Sequence, residues 1–208
     1  MVKKSSSKYH HGDLKKALLK AAERLIVEKG KDALSLRSIA TEVGVSHMAP
    51  YAHFKNKSEL FKAVAASCFL QLGNKLEQIL QQDNNPDDLV LLYGVAYVEF
   101  AIENPEMYEL MLSQTHPDKS KLTVKFPDPH SVSEYESSLQ ETSKRTYLLL
   151  RDCFARKESN QGIVNMQAQG AWALVHGVSS LLISGQIVLD SETSIKQFLD
   201  TASQGLSD

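Results

Sequence analysis

The chain contains few cysteines, and they form no recognisable framework. Cys68 and Cys153 are the two that occur in 208 residues, and their wide separation fits neither a disulfide-stapled domain nor a structural zinc site. This usage is typical of the reducing cytoplasm, where we expect the protein to reside. Whether either thiol responds to oxidants stays open, because reactivity depends on exposure and on the thiolate pKa.

The sequence also lacks a hydrophobic run suited to crossing a membrane. Its longest apolar stretch, "AWALVHGVSSLLISGQIVL", is interrupted by His176, Gln186 and several serines and glycines, whereas a span needs about 20 apolar residues with few polar groups. The basic opening "MVKKSSSKYHHGDL" has no apolar run behind it, so no signal peptide is predicted. We expect no membrane partner and interpret the apolar stretch as a buried interface helix.

Motifs of catalysis and metal binding are missing as well. The sequence has no G-x-S-x-G, no phosphate-binding loop and no zincin motif. His10, His11, His47 and His53 could be considered as metal ligands, but no cysteine or carboxylate cluster accompanies them. We therefore expect a protein that is not an enzyme and that holds neither a metal nor a cofactor.

Helical periodicity runs through most of the chain, and no segment alternates as a strand would. We predict an all-α protein with a smaller N-terminal domain (residues 1–57) and a larger C-terminal domain (residues 58–208). A proline-containing loop is expected at residues 116–132. Caps and breakers place the helices at 14–29, 36–43, a short segment from Ser46, 58–82, 87–103, 105–116, 133–156, 163–188 and 191–204.

Charge is distributed unevenly between these two parts. Up to Lys57 the chain contains twelve Lys and Arg against five Asp and Glu, a net charge of +7, and the remainder has a net charge of −9. A basic N-terminal quarter suits a polyanionic partner. A solvated basic face is the simpler alternative, so charge alone does not decide the function.

The segment "GVSHMAPYAHF" at residues 44–54 is the most informative about function. Ser35 can cap the preceding helix and Gly44 can end it. A short turn then leads to a further helix from Ser46, which is the arrangement of a helix-turn-helix. Spacing places Val45, Pro50 and Phe54 inward, and His47, Met48 and Tyr51 outward, on the side that DNA would meet.

This region resembles the tetracycline-repressor (TetR) family of regulators. The resemblance rests on "ALSLRSIATEVGVSHMAPYAHFKNKSELFKAV", and "YHHGDL" is similar to the lead-in of one branch of that family. Further along, "WALVHG" resembles the C-terminal domain named for its Trp-His-Gly signature in some members. The resemblance implies an N-terminal three-helix DNA-binding domain and a C-terminal helical domain for ligand binding and dimerisation.

The resemblance also implies particular DNA contacts. Phosphate contacts fall to Tyr51, His53 and Lys57, and base edges to His47, Met48 and Ala49. The remaining expected DNA-binding residues are Arg37, Ser46 and Lys55. Because the reading segment itself has no Lys or Arg, we expect cations to come from its flanks, including Lys3, Lys4 and Lys8. Met48 and Ala49 can pack on thymine methyl groups and His47 can donate to a purine, which predicts thymines in the operator.

Two residues depart from the family pattern or strain the expected helix. Ser38 stands where members often have an acidic residue that completes a capping box with Ser35, so we expect a weaker cap there. Pro50 costs little in a first turn but disfavours helical geometry at Ala49, so it bears on where the reading helix begins.

A second candidate site lies in the C-terminal domain, where the resemblance implies an effector cavity. The candidate lining residues are Tyr93, Tyr97, Phe100, Tyr108, Met111, Tyr147, Trp172 and His176. Aromatic residues at helical spacing are also typical of an ordinary core. Trp172 and His176, four residues apart, could equally be packing residues with the histidine hydrogen-bonded at a helix junction.

The last two predicted helices are rich in small residues that allow close helix packing, such as Gly170, Ala173, Gly177 and Ser184. The resemblance implies that they form a four-helix bundle with a second copy, giving a homodimer that reaches two operator half-sites. We expect a repressor with a small-molecule effector. Effector binding makes the helix after Ser58 swing, so that the two DNA-binding domains of the dimer no longer match the two half-sites. The alternative is a regulator or activator of the same fold that needs no effector.

Overall fold

The computed structural model describes residues 11–81, 85–115, 134–190 and 193–204. The fold is all-α, as predicted, and the described part contains no strand. Two 3-10 turns, at Lys31–Ala33 and Ala49–Ala52, interrupt the first third of the chain. The α-helices are α1 (His11–Lys29), α2 (Leu36–Val43), α3 (Lys57–Leu80), α4 (Pro86–Glu103), α5 (Pro105–Thr115), α6 (Glu134–Ala155), α7 (Gln161–Ile183) and α8 (Ile195–Gln204).

We call the N-terminal part, residues 11–56, the head. Its helices are held by a small core in which Leu18, Ile26, Ile39 and Phe54 are fully buried. Burying each such side chain contributes about 1.5–3 kcal/mol. Because Phe54 follows the second 3-10 turn directly, this core fixes where residues 46–53 lie on the surface.

The remaining helices form the body, and α3 connects the head to it. α3 packs most extensively against α6, while α4 packs against both α7 and α8. Leu72 and Leu76 of α3 are fully buried, as are Tyr93 and Tyr97 of α4. The body therefore has a core that is rich in phenol rings as well as aliphatic side chains.

The start of α3 corrects one expectation. Asn56, and not Ser58, is the N-cap: its side-chain oxygen accepts a hydrogen bond from the backbone N–H of Glu59 at 2.9 Å. The Glu59 carboxylate in turn accepts from the backbone N–H of Lys55 at 2.8 Å. Asparagine and serine are both good caps, so only the backbone geometry distinguishes the two positions.

The C-terminal helices are shorter than predicted. α7 ends at Ile183, with Ser184 as its C-cap, and Gly185 then adopts a left-handed conformation with φ of 69°. A glycine in that conformation ends a helix without steric cost. α8 begins at Ile195 instead of residue 191. The loop predicted at residues 116–132 lies outside the described residues.

Across the described ranges, no helix combines the length and the apolar character that membrane crossing requires. The same residues contain no group of three or more His, Cys, Asp or Glu side chains placed to hold a metal ion.

Candidate nucleic-acid interface and ligand cavity

Two serines fix the start of α2 beneath the candidate interface. The Ser35 hydroxyl accepts from the backbone N–H of Ser38 at 3.0 Å, and the Ser38 hydroxyl accepts from the backbone N–H of Ser35 at 2.8 Å. This is a complete capping box. The expectation of a weaker cap is therefore wrong, because a serine oxygen at this position reaches the same donor that an acidic side chain would.

The turn after α2 is formed by Gly44, as predicted. Its φ of 76° is left-handed, and its backbone N–H donates to the carbonyl of Thr41 at 3.1 Å. The chain then passes through Val45, which packs partly buried against the core. This geometry returns residues 46–53 across the surface of the head.

The segment that follows this turn, expected to read base edges, contains a 3-10 turn at Ala49–Ala52 and not an α-helix from Ser46. The backbone N–H of Tyr51 donates to Met48 and that of His53 donates to Pro50, at 3.1 and 2.9 Å, and such three-residue spacing defines the 3-10 form. Pro50 has no N–H and restricts Ala49, so a continuous α-helix is disfavoured at this point. The predicted inward direction of Pro50 and Phe54 is confirmed, since both are buried.

The outward side of this turn exposes the residues expected to meet DNA. Met48 is 73% exposed and Tyr51 47% exposed. Ser46 and His47 are exposed, whereas Ala49 and His53 are half-buried. We name Ser46, His47, Met48, Ala49, Tyr51 and His53 the reading surface.

The cations expected to contact DNA are exposed on the head and at the start of α3. Arg37 of α2, Lys55 and Lys57 are all exposed. The Lys57 ammonium lies 5.1 Å from the ring centroid of Phe61, which holds the side chain at the start of α3. Lys3, Lys4 and Lys8 lie outside the described residues.

The reading surface has a support from the body that sequence reasoning missed. Tyr135, in the first turn of α6, donates its hydroxyl to the backbone carbonyl of His53 at 2.5 Å. Its ring lies 5.4 Å from that of Phe54, and the Lys15 ammonium of α1 lies 4.8 Å from the Tyr135 ring centroid. These contacts join positions more than 80 residues apart, so no local pattern could have indicated them.

In the body, a cluster of aromatic residues surrounds His176 of α7. The Tyr108 hydroxyl lies 3.0 Å from His176 Nδ1, and the Tyr97 hydroxyl lies 3.3 Å from the imidazole nitrogens. The Trp172 and His176 rings are 4.6 Å apart, and Tyr147 meets Trp172 edge-on at 5.8 Å. Four helices, α4 to α7, therefore converge on one polar centre inside an apolar region.

The protonation of this cluster follows from its burial. Burial raises the pKa of Tyr97 well above its usual value, with smaller contributions from Tyr108 and Tyr93. Burial also raises the pKa of Tyr108, although the neighbouring Tyr97 hydroxyl acts in the opposite direction. Both phenols are thus protonated near neutral pH. A protonated phenol can donate to or accept from an imidazole nitrogen, so the tautomer of His176 sets the direction of its bond with Tyr108.

A cavity of about 300 Å³ opens beside this cluster. Of the predicted ligand residues, Tyr147, Trp172 and His176 line it. Five others are buried in the core and are not part of its lining: Tyr93, Tyr97, Phe100, Tyr108 and Met111. Its lining consists of Phe69, Leu112, Thr115, Gln140, Ser143, Lys144, Tyr147, Trp172 and His176.

The cavity has an apolar wall and a polar wall. Phe69, Leu112 and Trp172 give the apolar side, while α6 contributes Gln140, Ser143 and Lys144. Lys144 is the one charged residue in the described lining, which contains no carboxylate. Apart from ordinary helical spacing, nothing in the sequence indicated that these three residues of α6 would line the cavity.

A separate face of α7 is exposed and carries mostly small side chains. Gly170, Ala173, Gly177, Ser180 and Ser184 follow helical spacing on this face and are exposed. A Cβ added at Gly170 or at Gly177 would meet no atom within 4 Å. Exposed Met166 and Ile163 continue the same face towards the start of the helix.

Comparison with known proteins agrees with this geometry. Residues 18–64 match the family model described as bacterial regulatory proteins, tetR family, and residues 90–202 match the tetracyclin repressor-like C-terminal domain. A solved structure from Rhodococcus sp. RHA1, described as a protein with unknown function, covers 97% of this chain and 96% of its own at a TM-score of 0.74 and 27% identity.

Two curated relatives match shorter regions. The nucleoid occlusion factor SlmA of Marinomonas sp. (strain MWYL1) is 24% identical over 48% of this chain and 50% of its own length. The nicotine-responsive transcriptional repressor HdnoR of Paenarthrobacter nicotinovorans is 37% identical over 33% of this chain and 35% of its own length. The chain thus spans half or less of the length of these two relatives.

The C-terminal family model matches more than half of the 208 residues, and the N-terminal model matches the head. The chain therefore belongs to the TetR family of bacterial regulatory proteins.

Proposed function

We propose that this protein is a cytoplasmic, homodimeric transcriptional regulator that represses by binding operator DNA and is released by a small-molecule effector. The observation that carries the proposal is the reading surface: an exposed Met48 and Tyr51 on a short turn, which exposed Lys55 and Lys57 follow closely in the chain. Phosphate contacts position such a domain and base contacts specify the sequence.

Each part of this surface has a distinct role in the proposal. Tyr51, His53 and Lys57 contact phosphates, and Arg37 and Lys55 add positive charge. Ser46 begins the segment that enters the major groove. His47 donates to a purine acceptor, while Met48 and Ala49 pack against thymine methyl groups, so thymines are expected at the contacted positions.

Dimerisation in this proposal uses α7 and α8. The face of α7 that carries Gly170, Ala173 and Gly177 is exposed and has small side chains, which permits a second copy of the helix to approach closely. Two heads then read two half-sites about 34–36 Å apart. We also retain the Trp-His-Gly type of C-terminal domain as part of the proposal, because Trp172 and His176 contact each other at the cavity.

The cavity defines the class of effector. An apolar body fits against Phe69, Leu112 and Trp172, and an acceptor group fits near Lys144. Because the described lining has one cation and no carboxylate, we propose an uncharged or anionic effector with an aromatic or aliphatic body. The relative HdnoR, described as nicotine-responsive, is a precedent for a response to a small molecule.

DNA recognition is tested by selecting binding sites from a random duplex pool and measuring affinity by fluorescence anisotropy across a salt series. Specific sites should bind roughly 10³-fold or more tightly than scrambled DNA and should be rich in thymine. Tyr51→Ala should abolish that preference. Val27→Ala, which alters an exposed apolar residue of α1 outside the reading surface, is the matched control. Guanine-rich sites without thymine preference would contradict the assigned base contacts.

Effector binding can be followed directly, because Trp172 is the single tryptophan of the chain and lines the cavity. A panel of aromatic and aliphatic carboxylates and their amides is screened by Trp172 fluorescence, and hits are tested for release of the selected DNA. The second candidate function, regulation without an effector, is favoured if no compound changes both signals.

A further inference from the structure

One helix, α6, touches both the cavity and the head. Gln140, Ser143, Lys144 and Tyr147 line the cavity from a single face of α6. Towards its start, the same helix carries Tyr135, which contacts the head. At 1.5 Å per residue, Tyr135 and Ser143 are about 12 Å apart along the axis, so an α-helix links the two sites without an intervening hinge.

The contact at the head lies at the end of the reading surface. The Tyr135 hydroxyl donates to the carbonyl of His53 at 2.5 Å, and its ring packs on Phe54, which is fully buried. The His53 carbonyl belongs to the backbone that leaves the 3-10 turn. A displacement of the first turn of α6 therefore acts directly on the backbone that positions Tyr51 and its neighbours.

A second attachment holds α6 to α3 at the level of the cavity residues. Arg145 pairs with Glu77 of α3, with Nε 3.0 Å from Oε1, and reaches Asn74 at 3.3 Å. α6 is thus held to α3 near the cavity and to the head at Tyr135. Packed helices can respond to a ligand by small rigid shifts between discrete arrangements, and α6 is the helix that such a shift would carry from the cavity to the head.

We propose that Tyr135 couples the cavity to the reading surface: an occupied cavity shifts α6, and the Tyr135 contacts with His53 and Phe54 pass that shift to the head. This inference rests on the proposed function. It assigns regulation to α6 in addition to the swing expected of α3. The hydroxyl of Tyr135 is a positioning group, since it acts on the reading surface through the His53 backbone.

The test fills the cavity covalently, so it does not require the natural effector. Ser143→Cys is labelled with benzyl methanethiosulfonate, and dithiothreitol removes the label. The native Cys68 and Cys153 are buried and burial raises the pKa of both, so the label should attach to residue 143 alone. DNA selected with the unlabelled protein serves as the probe in anisotropy.

The expected result is a loss of DNA affinity on labelling of about tenfold, within the usual range of allosteric coupling. In the Tyr135→Phe background, which retains the ring and removes the hydroxyl, the loss should fall to about threefold or less. Ser67→Ala is the matched control, because it removes a different hydroxyl bond from body to head, Ser67 to Glu23 at 2.8 Å, that comes from α3. It should keep the full effect of the label.

Each other outcome overturns the inference in a recognisable way. If labelling lowers DNA affinity as much in the Tyr135→Phe background as in the background with Tyr135, α6 does not act through this hydroxyl. The same loss with a label at Ser137→Cys, which is exposed on α6 and does not line the cavity, means that the label acts without occupying the cavity. No loss in any background removes the coupling while specific DNA binding by the unlabelled protein preserves the proposed regulator. Absence of specific binding by the unlabelled protein removes both.

Discussion

The Tyr108 hydroxyl lies 3.0 Å from Nδ1 of His176, which joins α5 to α7 at the edge of the cavity. Tyr97 of α4 reaches the same imidazole at 3.3 Å. These bonds explain how a histidine is accommodated between phenol rings, because buried polar groups are stable only when they are hydrogen-bonded. They also make the neutral forms of the two tyrosines part of the folded structure.

The protein should therefore lose stability at alkaline pH. Burial raises the pKa of Tyr93, Tyr97 and Tyr108. For a group whose folded pKa is raised, the stabilisation is complete below the unfolded pKa, about 10 for tyrosine, and is lost as pH rises through the folded pKa. Tyrosinate absorbance and circular dichroism, recorded together, should show these three phenols ionising only as helix is lost. Ionisation of all tyrosines near pH 10 with helix intact would contradict this.

The native thiols should be unreactive. Cys68 and Cys153 are buried, and burial raises the pKa of Cys153 to about 11 and that of Cys68 further. Because the thiolate is the reactive form, an aromatic disulfide reagent at pH 8 should modify neither cysteine in the folded protein and both in urea. Rapid reaction of one thiol in the folded protein would instead indicate a redox-responsive site.

Removing the capping box should weaken the head. Ser38→Ala loses the acceptor for the Ser35 backbone N–H, and the net contribution of one such hydrogen bond to stability is about 1 kcal/mol. Ser38→Glu should restore the lost stability, since glutamate completes the same box. Urea unfolding of both variants measures the difference. Equal stability of Ser38→Ala and the wild type would mean that the reciprocal bond contributes nothing.

The exposed face of α7 should control assembly. Gly177→Arg places a charged side chain where a Cβ meets no atom of its own chain, so the protomer should fold normally while the proposed dimer is lost. Sedimentation equilibrium should then report a monomer. Gln161→Arg, on an exposed residue of α7 off this face, should remain dimeric. A Gly177→Arg protein that stays dimeric would place the interface elsewhere.

Local rules explain why much of the head was predictable. Ser35 caps α2 and Gly44 ends it, and both follow from side-chain hydrogen bonding and left-handed backbone geometry that act within a few residues. The inward direction of Pro50 and Phe54 follows from helical spacing in the same way. Prediction failed where two local choices were nearly equal, as between Asn56 and Ser58 at the start of α3.

The sequence by itself determined the helical class, the turn at Gly44, the exposure of Met48 and Tyr51 and the basic character of the head, because propensity, spacing and charge are local properties. The tertiary structure decided which aromatic residues face the cavity: Tyr147, Trp172 and His176 line it, whereas Tyr97 and Tyr108 are buried in the core. Helical spacing indicates that a side chain is buried but not what it is buried against. The bond from Tyr135 to His53, across 82 residues, exists only because α6 packs along α3, and that packing depends on the whole set of helix faces.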